Sequence, residues 1–445
     1  MRHRTMPGRR GGNPRDGRSV GQSASALVLA GLAVAGQVIA YLLSAVLARQ
    51  LGVGGFEAYV VASAAFILMV AVAPRGIEKY SVRALPVLLH RCDWGLARGL
   101  LHYGLRRTLL TSLIIGLTVG AWAWWVRDFA DATRLAIVVS CLALPAGAMA
   151  LFGMEVLSAL GREANALALF RVAVPVMTFA LVGVLMVSPL AISGPLAVGC
   201  WGIALTVAVA LMAFQIRRAA PPELFSVQRA EEVATWRTET QPFFIYRISL
   251  GLLSQAGVIA LDWLQPSATA VGAYAAAMGT AGLVAVLATA TNRTYARQLS
   301  ILLERRDFAT VLDLRSERLR WLLPALAAFL VIAFAFTHPL LALFRSEFMN
   351  EGVAPLRILA AATAFSVLFA LAPTYLKYRR RNRTTYLTVA CAAAAQGILL
   401  LLLVPRLGAT GAAIAYAVSM CGMYGAFALM AYRELALLKA DCDAP

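Results

Sequence analysis

The chain has 445 residues, 60% of them hydrophobic and only 14% charged, with a mean hydropathy of +0.74. Soluble domains run at roughly 45–50% apolar and about 25% charged, so a water-soluble globule of this composition could not cover its surface with polar groups, and a soluble enzyme is excluded. The net charge of +18 would suggest nucleic acid as a partner of a soluble protein; in a membrane protein it reads as the Lys and Arg of cytoplasmic loops, and no nucleic acid is expected.

Residues 1–23 are rich in Arg and Gly and are expected to form a disordered basic cytoplasmic tail. The apolar run that follows, 24–48, has 25 residues. That is too long for the roughly 7–15-residue core of a secretory signal, so it reads as a first membrane span. Further runs lie at 56–74, 108–126, 135–158, 165–187, 191–214, 243–264, 271–292, 321–344, 355–376, 384–404 and 409–431. Each is close to the ~20 residues that cross a hydrocarbon core of about 30 Å. The expected fold is all-α: a polytopic membrane protein of about 12 transmembrane helices in two pseudo-symmetric six-helix bundles around a central cavity.

An even number of spans puts both termini on one side. With the amino terminus inside, 34 of the 40 Lys and Arg residues are cytoplasmic and only Arg49, Arg127, Arg134, Arg345, Arg357 and Arg406 fall outside. That asymmetry predicts a bacterial cytoplasmic membrane protein, multi-pass, with both termini cytoplasmic. The outer loops are too short for a folded catalytic domain, and the longer inner ones, such as 75–107 and 293–320, read as basic interfacial segments.

The second half repeats the first at a shift of 215–218 residues. GREANALALFRVA (161–173) lies over YRRRNRTTYLTVA (378–390), SGPLA (193–197) over TGAAI (410–414), and AYVVASA (58–64) over AYAAAMG (273–279). Six spans per half is even, so the halves share orientation and relate by an axis along the membrane normal. The predicted organisation is a lobe at 24–214, a cytoplasmic linker at 215–242, a second lobe at 243–431 and a cytoplasmic tail at 432–445. Two such lobes with a seam between them form the architecture of alternating-access transporters.

No phosphate-binding GxxxxGK[ST] loop, HExxH or GxSxG motif occurs, the four histidines are isolated, and the six cysteines form no CxxC pair. No enzyme activity, metal or cofactor is expected. Polar groups inside spans carry the functional signal, because each is costly unless it meets a wet cavity or a partner. Arg247, Ser254, Gln255 and Asp262 fall within roughly a 100° arc of one helix, and Gln37, Tyr41 and Ser44 within about 60° of another. These helices are equivalent in the repeat. Interhelical hydrogen bonding is the plainer explanation of both stripes.

Basic residues near the inner ends form a second set: Arg75 and Arg293 at equivalent helix ends, and Arg171 and Arg247 deeper in their spans. Guanidinium binds phosphate in bidentate fashion, so such a cluster suits a diphosphate; snorkelling to headgroups is the alternative. The candidate substrate-binding residues are therefore Arg247, Arg171, Arg75, Arg293, Gln255, Gln37 and Tyr41, with Asp262 as the candidate for ion coupling. Glu155 and Asp262 are the carboxylates noted within spans, and the first six spans show none at mid-depth, which argues against a cation-selective drug pump.

LARQLGVGGFEAYVVASAAF (47–66), VGAYAAAMGTAGLVAVL (271–287) and VPRLGATGAAIAYAVS (404–419) resemble the polysaccharide flippases of the multidrug/oligosaccharidyl-lipid/polysaccharide exporter superfamily. The resemblance implies translocation of a polyprenyl-diphosphate-linked oligosaccharide for O-antigen, capsule or exopolysaccharide synthesis. It also implies two lobes around a cationic cavity, the lipid bilayer as surroundings, and a polysaccharide polymerase and glycosyltransferases as partners. SQAGV (254–258) and APRGIEK (73–79) depart from the acidic residues that members often carry at those places. The alternative expectation is an ion-coupled multidrug exporter of the same superfamily.

Overall fold

The protein is an all-α polytopic membrane protein. Its structure, a computed structural model, describes residues 15–127, 129–189, 191–304, 308–379 and 381–443. Residues 1–14 of the expected tail, and the Arg293 side chain, lie outside the described residues.

Inside lipid every backbone polar group must be satisfied within its own helix, so the apolar runs become helices. In chain order these are α1 (Arg15–Val72), α2 (Ile77–His90), α3 (Trp94–Trp125), α4 (Asp131–Ala159), α5 (Glu163–Leu167), α6 (Val174–Val187), α7 (Gly194–Ala219), α8 (Glu223–Ser226) and α9 (Val233–Leu264). The second half continues with α10 (Ala268–Gly282), α11 (Ala285–Glu304), α12 (Phe308–Ala335), α13 (Thr337–Ala342), α14 (Met349–Leu368), α15 (Ala372–Tyr378) and α16 (Asn382–Asp443).

Among the described residues ten helical segments are long and apolar enough to cross a membrane. Two of them are too long for a single crossing. The 45 residues of Val28–Val72 would reach about 68 Å if straight. Each bends back at a glycine with positive φ, Gly52 (71°) in α1 and Gly408 (54°) in α16. A side chain at either place would be strained. Counting both arms of these two helices gives twelve crossings.

The helices also outrun the apolar stretches. α3 begins fourteen residues before the run at 108, and α9 begins ten before the run at 243. Hydropathy marks only the part of a helix that lipid covers, whereas the amphipathic extensions are held by protein. Trp236, at the start of α9, is buried with Ile77, Leu100, Phe152 and Leu224.

The two ends of the bundle are packed differently. At the end containing Gly52 and Gly408, a single buried cluster joins both halves: Leu47, Phe56 and Leu144 meet Leu261, Tyr274, Phe344 and Phe348. At the other, arginine-rich end the buried residues separate. One cluster belongs to the first half and the start of α9 (Ile77, Leu85, Leu100, Val156), and another to the second half (Leu314, Tyr375, Val389, Phe427). The halves share one core at the first end; at the other, α9 still packs on α1 and α2, but the remaining buried clusters of the two halves are separate.

Candidate functional site

The seam between the halves is built from α1, α9, α10 and the helix that contains Arg171. Gly36 of α1 sits directly against the backbone carbonyl of Arg171, closer than any side chain would allow. The next residue, Gln37, faces Gly282, and a little over a turn further Tyr41 faces Gly279 and Thr280. The Thr280 hydroxyl donates to the Ala276 carbonyl at 2.8 Å. Its oxygen is thus free to accept from the Tyr41 hydroxyl at 3.3 Å. The first of the two polar stripes therefore does face the second half.

Two helices lose regularity beside this stripe. The segment Ala168–Ala173, which includes Arg171, is a π-helical turn. The helix opposite Gln37 breaks between Gly282 and Ala285, where α10 ends and α11 starts. Insertions of this kind free backbone groups and are tolerated at membrane depth only where protein or water takes them up, which is why they mark sites.

On α9, Gly251 packs on Leu68 and Ala71 of α1, and Gly257 packs on Tyr274 of α10. Arg247 and Ser254 lie on the arc between those two contacts. Ser254 is exposed although it sits in mid-helix, and the Arg247 side chain keeps 27% of its surface. Arg171 likewise keeps exposed surface while protein atoms surround it, and it is close enough to Arg247 for their charges to repel. Three polar side chains thus keep exposed surface at this depth of the seam. Gln255 turns toward Ser254, 3.5 Å away.

Arg247 also faces Glu78 of α2, with Nε 3.7 Å from Oε1. Glu78 is fully buried, and neither of its carboxylate oxygens has a hydrogen-bond partner among the described residues. Burial pushes its carboxyl above the ordinary carboxylate range, and the Arg247 charge opposes that only in part. Its neighbour Lys79 pairs instead with Glu155 of α4, within the first half.

Asp262 lies far from the arginines, in the fused end. The Arg127 guanidinium donates to the Asp262 carbonyl at 3.1 Å and to its Oδ2 at 3.3 Å, and stacks on Trp263 at 4.9 Å. Glu57 is near enough to feel the charge of Asp262. Two further arginines cross the halves here. Arg345 donates to the Arg49 carbonyl at 3.2 Å, and Arg49 donates to the Ala342 carbonyl at 3.3 Å. Phe56 packs on Phe344 and Phe348, and Tyr41 meets Phe344 edge-on at 5.3 Å. Together these contacts seal the end.

Of the expected site residues, Arg171, Arg247, Gln37 and Tyr41 share the seam, with Gln255 at its margin. Arg75 does not; it lines a pocket on the flank between α3 and α9. The sealing residues Arg49, Arg127 and Arg345 were missed, although they had a signal: they are three of the six basic residues on the arginine-poor side. Glu78 adds a buried acid beside Arg247 that the apolar runs did not mark. Glu78 was hidden by lying in a short helix outside the apolar runs. Among the described residues no group of three or more His, Cys, Asp and Glu is placed to hold a metal.

No family model matches the chain, and no curated protein matches it either. Solved structures do. The inward-facing conformation of a multidrug resistance MATE family transporter of the MOP superfamily aligns with TM-score 0.70 at 12% identity, covering 91% of this chain and 96% of that one. The outward-facing conformation of a transporter of the same description aligns with TM-score 0.63 at 13% identity, covering 94% and 96%. A MOP superfamily transporter from Pyrococcus furiosus, whose binding pocket is described as having reverse polarity suggesting a different function, aligns with TM-score 0.63 at 13% identity, covering 93% and 96%.

At such identity the likeness shows the fold alone, one shared with the transporters just described. It also corrects the polysaccharide-flippase expectation. Of the solved structures named above, two are MATE family multidrug resistance transporters and one is a MOP superfamily transporter of suggested different function, so they favour the exporter alternative over the flippase. The polyprenyl-diphosphate-linked oligosaccharide falls as cargo, and the polymerase and glycosyltransferases fall as partners with it. The physical reason is plain: span number, short loops and small-residue packing are demanded by the shared fold, and none of them distinguishes one branch of the superfamily from another.

Proposed function

We propose that this protein is an alternating-access exporter of small amphipathic organic solutes, held with its seam open to the cytoplasm. The observation that carries the reading is the asymmetry of packing: one core shared by both halves at one end, and toward the other end buried clusters that do not join the two lobes. The higher score of the inward-facing relative over the outward-facing one supports it, 0.70 against 0.63. The arginine-rich end is cytoplasmic in this reading, by the 34-to-6 bias, so both termini face the cytoplasm and the sealed end faces outward. The lobes 24–214 and 243–431 rock about the linker 215–242.

Arg171 and Arg247 bind the cargo, with Gln37, Tyr41 and Gln255 supplying hydrogen bonds. Arg171 and Arg247 lie close together and only Arg247 faces an acid, Glu78, so this part of the seam has positive sign and favours organic anions over cations. The Pyrococcus transporter, whose binding pocket is described as having reverse polarity suggesting a different function, is a precedent on this fold for a pocket of altered charge. Asp262 serves coupling through the seal: a proton taken up by Asp262 or Glu57 from outside weakens the hold of Arg127 and opens the outer end.

The test is transport by the purified protein in liposomes, using a fluorescent anionic dye and a cationic dye of similar size. The reading expects the anionic dye to move faster under an imposed proton gradient, and Arg171→Ala with Arg247→Ala to abolish that preference. Equal movement of both dyes in the native protein and in the double variant overturns it.

A further inference from the structure

We propose that the arginine-lined pocket on the flank, between α3 and α9, binds the phosphate headgroup of an acidic phospholipid of the cytoplasmic leaflet. The cavity measures about 580 Å³. Arg75, Arg106, Arg107 and Arg237 line it against one acid, Glu231. Among the described residues none of these four arginines pairs with a carboxylate. Arg107 instead donates to the Tyr103 hydroxyl at 3.1 Å and the Thr240 hydroxyl at 3.4 Å, and Arg75 lies 5.8 Å over the Phe244 ring. Four like charges around one cavity repel each other until an anion enters, and guanidinium suits the planar bidentate grip of phosphate.

The turn that presents Arg75 is built for its place. Arg75 itself has φ 52° and Gly76 has φ 82°. A Cβ on Gly76 would stand 2.5 Å from the Thr240 carbonyl, so the turn is wedged against the α9 backbone. A non-glycine residue held in the left-handed region costs energy, and such strain persists where the surroundings over-determine it.

The rest of the surface points to lipid rather than to a free anion. Leu110 and Ile114, which also line the cavity, are 48% and 61% exposed, and Leu117 beyond them is 73% exposed. These three fall on one helical face and continue away from the arginines. At 1.5 Å per residue Leu117 stands about 15 Å from Arg107 along α3, which is half of a hydrocarbon core of about 30 Å. A headgroup in the arginine cluster thus leaves its acyl chain beside an exposed apolar stripe that reaches the mid-plane. The pocket lies outside the seam and takes no part in cargo binding.

The experiment is thermal unfolding of the full chain in detergent with added phosphatidylglycerol, phosphatidylcholine or soluble glycerol phosphate. Variants are Arg106→Gln with Arg237→Gln, both exposed in the pocket, and Arg217→Gln with Arg218→Gln, exposed at the end of α7. Phosphatidylglycerol is expected to raise the midpoint of the native protein and of the α7 variant. In the pocket variant that shift falls to less than half, and phosphatidylcholine and glycerol phosphate leave all three unmoved. Native mass spectrometry of co-purified phosphatidylglycerol gives a second readout should the pocket variant unfold early, with Arg75→Gln in its place. An equal shift or equal lipid retention in native and pocket variants overturns the proposal. So does equal loss in the α7 variant, which would mean general surface charge, or stabilisation by glycerol phosphate, which would mean a free-phosphate site.

Discussion

Removal of the Arg127 guanidinium tests the seal quantitatively. Its side chain is a quarter exposed while Asp262 is 8% exposed, so the pair is neither a surface ion pair nor a fully dry one. Hydrogen bonds to charged groups contribute about 1.5–3 kcal/mol net each when buried. Screening by solvent and the 3.1 and 3.3 Å lengths place the two together near the bottom of that scale, about 1.5–3 kcal/mol in total. Stacking on Trp263 adds roughly 0.5–1 kcal/mol. At about 1.4 kcal/mol per tenfold, the combined ~2–4 kcal/mol means that Arg127→Ala should shift the closed-to-open equilibrium of the outer end by roughly 30- to 700-fold. The assay is labelling by a membrane-impermeant maleimide of a single cysteine at Ala48, which is fully buried beneath the seal, in a background without the native cysteines. Labelling should accelerate by that factor in Arg127→Ala and by less in Arg127→Lys. An unchanged rate in both would mean that the pair does not hold the end shut.

Three further outcomes follow from particular contacts. Gly36→Ala should destabilise the fold by about 1–3 kcal/mol, because its methyl strikes the Arg171 carbonyl; Gly31→Ala, with nothing within 4 Å, should be neutral or slightly stabilising, and chemical unfolding compares them. Arg318 is 4% exposed and donates to the Val367 and Leu368 carbonyls at 3.1 and 3.3 Å, where α14 breaks off. Arg318→Met should therefore cost on the order of 2–4 kcal/mol through the unpaired carbonyls, read as a lowered unfolding midpoint. Glu78, whose carboxyl is pushed up by burial, binds its proton more tightly folded than unfolded. Its contribution to stability is present below about pH 4.3 and is lost as pH rises through the folded value. The midpoint of Glu78→Gln relative to the native protein should accordingly rise between pH 4 and pH 7, and a fall would contradict the assignment.

Much of the architecture was legible because lipid imposes it. Composition alone demands a membrane solvent, and apolar runs mark the crossings. The runs at 24–48 and 56–74 form two helical arms that meet at Gly52, where the backbone leaves the helical region. The start of α9 was read as linker since Thr, Glu and Arg dominate it, yet Trp236 anchors it in a buried cluster. Helical spacing groups Gln37 with Tyr41, and Arg247 with Ser254, Gln255 and Asp262; in the structure Asp262 belongs instead to the sealed end, with Arg127. Spacing could not place Arg75, whose direction depends on a left-handed turn, nor connect Arg127 to Asp262, which are 135 residues apart. The bias of basic residues was used only to orient the chain; its exceptions were the better guide to the seal. Features common to a whole superfamily misled the choice of branch.

The central claim is that the two lobes exchange closure between the ends of the bundle. Distances between spin labels test it directly, with one pair at the outer end (Asp131→Cys and Glu351→Cys) and one at the inner end (Asp93→Cys and Asn382→Cys), all four positions being exposed. In nanodiscs, acidification and transported solute should populate a second distribution in which the outer pair is longer and the inner pair shorter. A single distribution at each pair, or both distances changing in the same direction, would contradict alternating access.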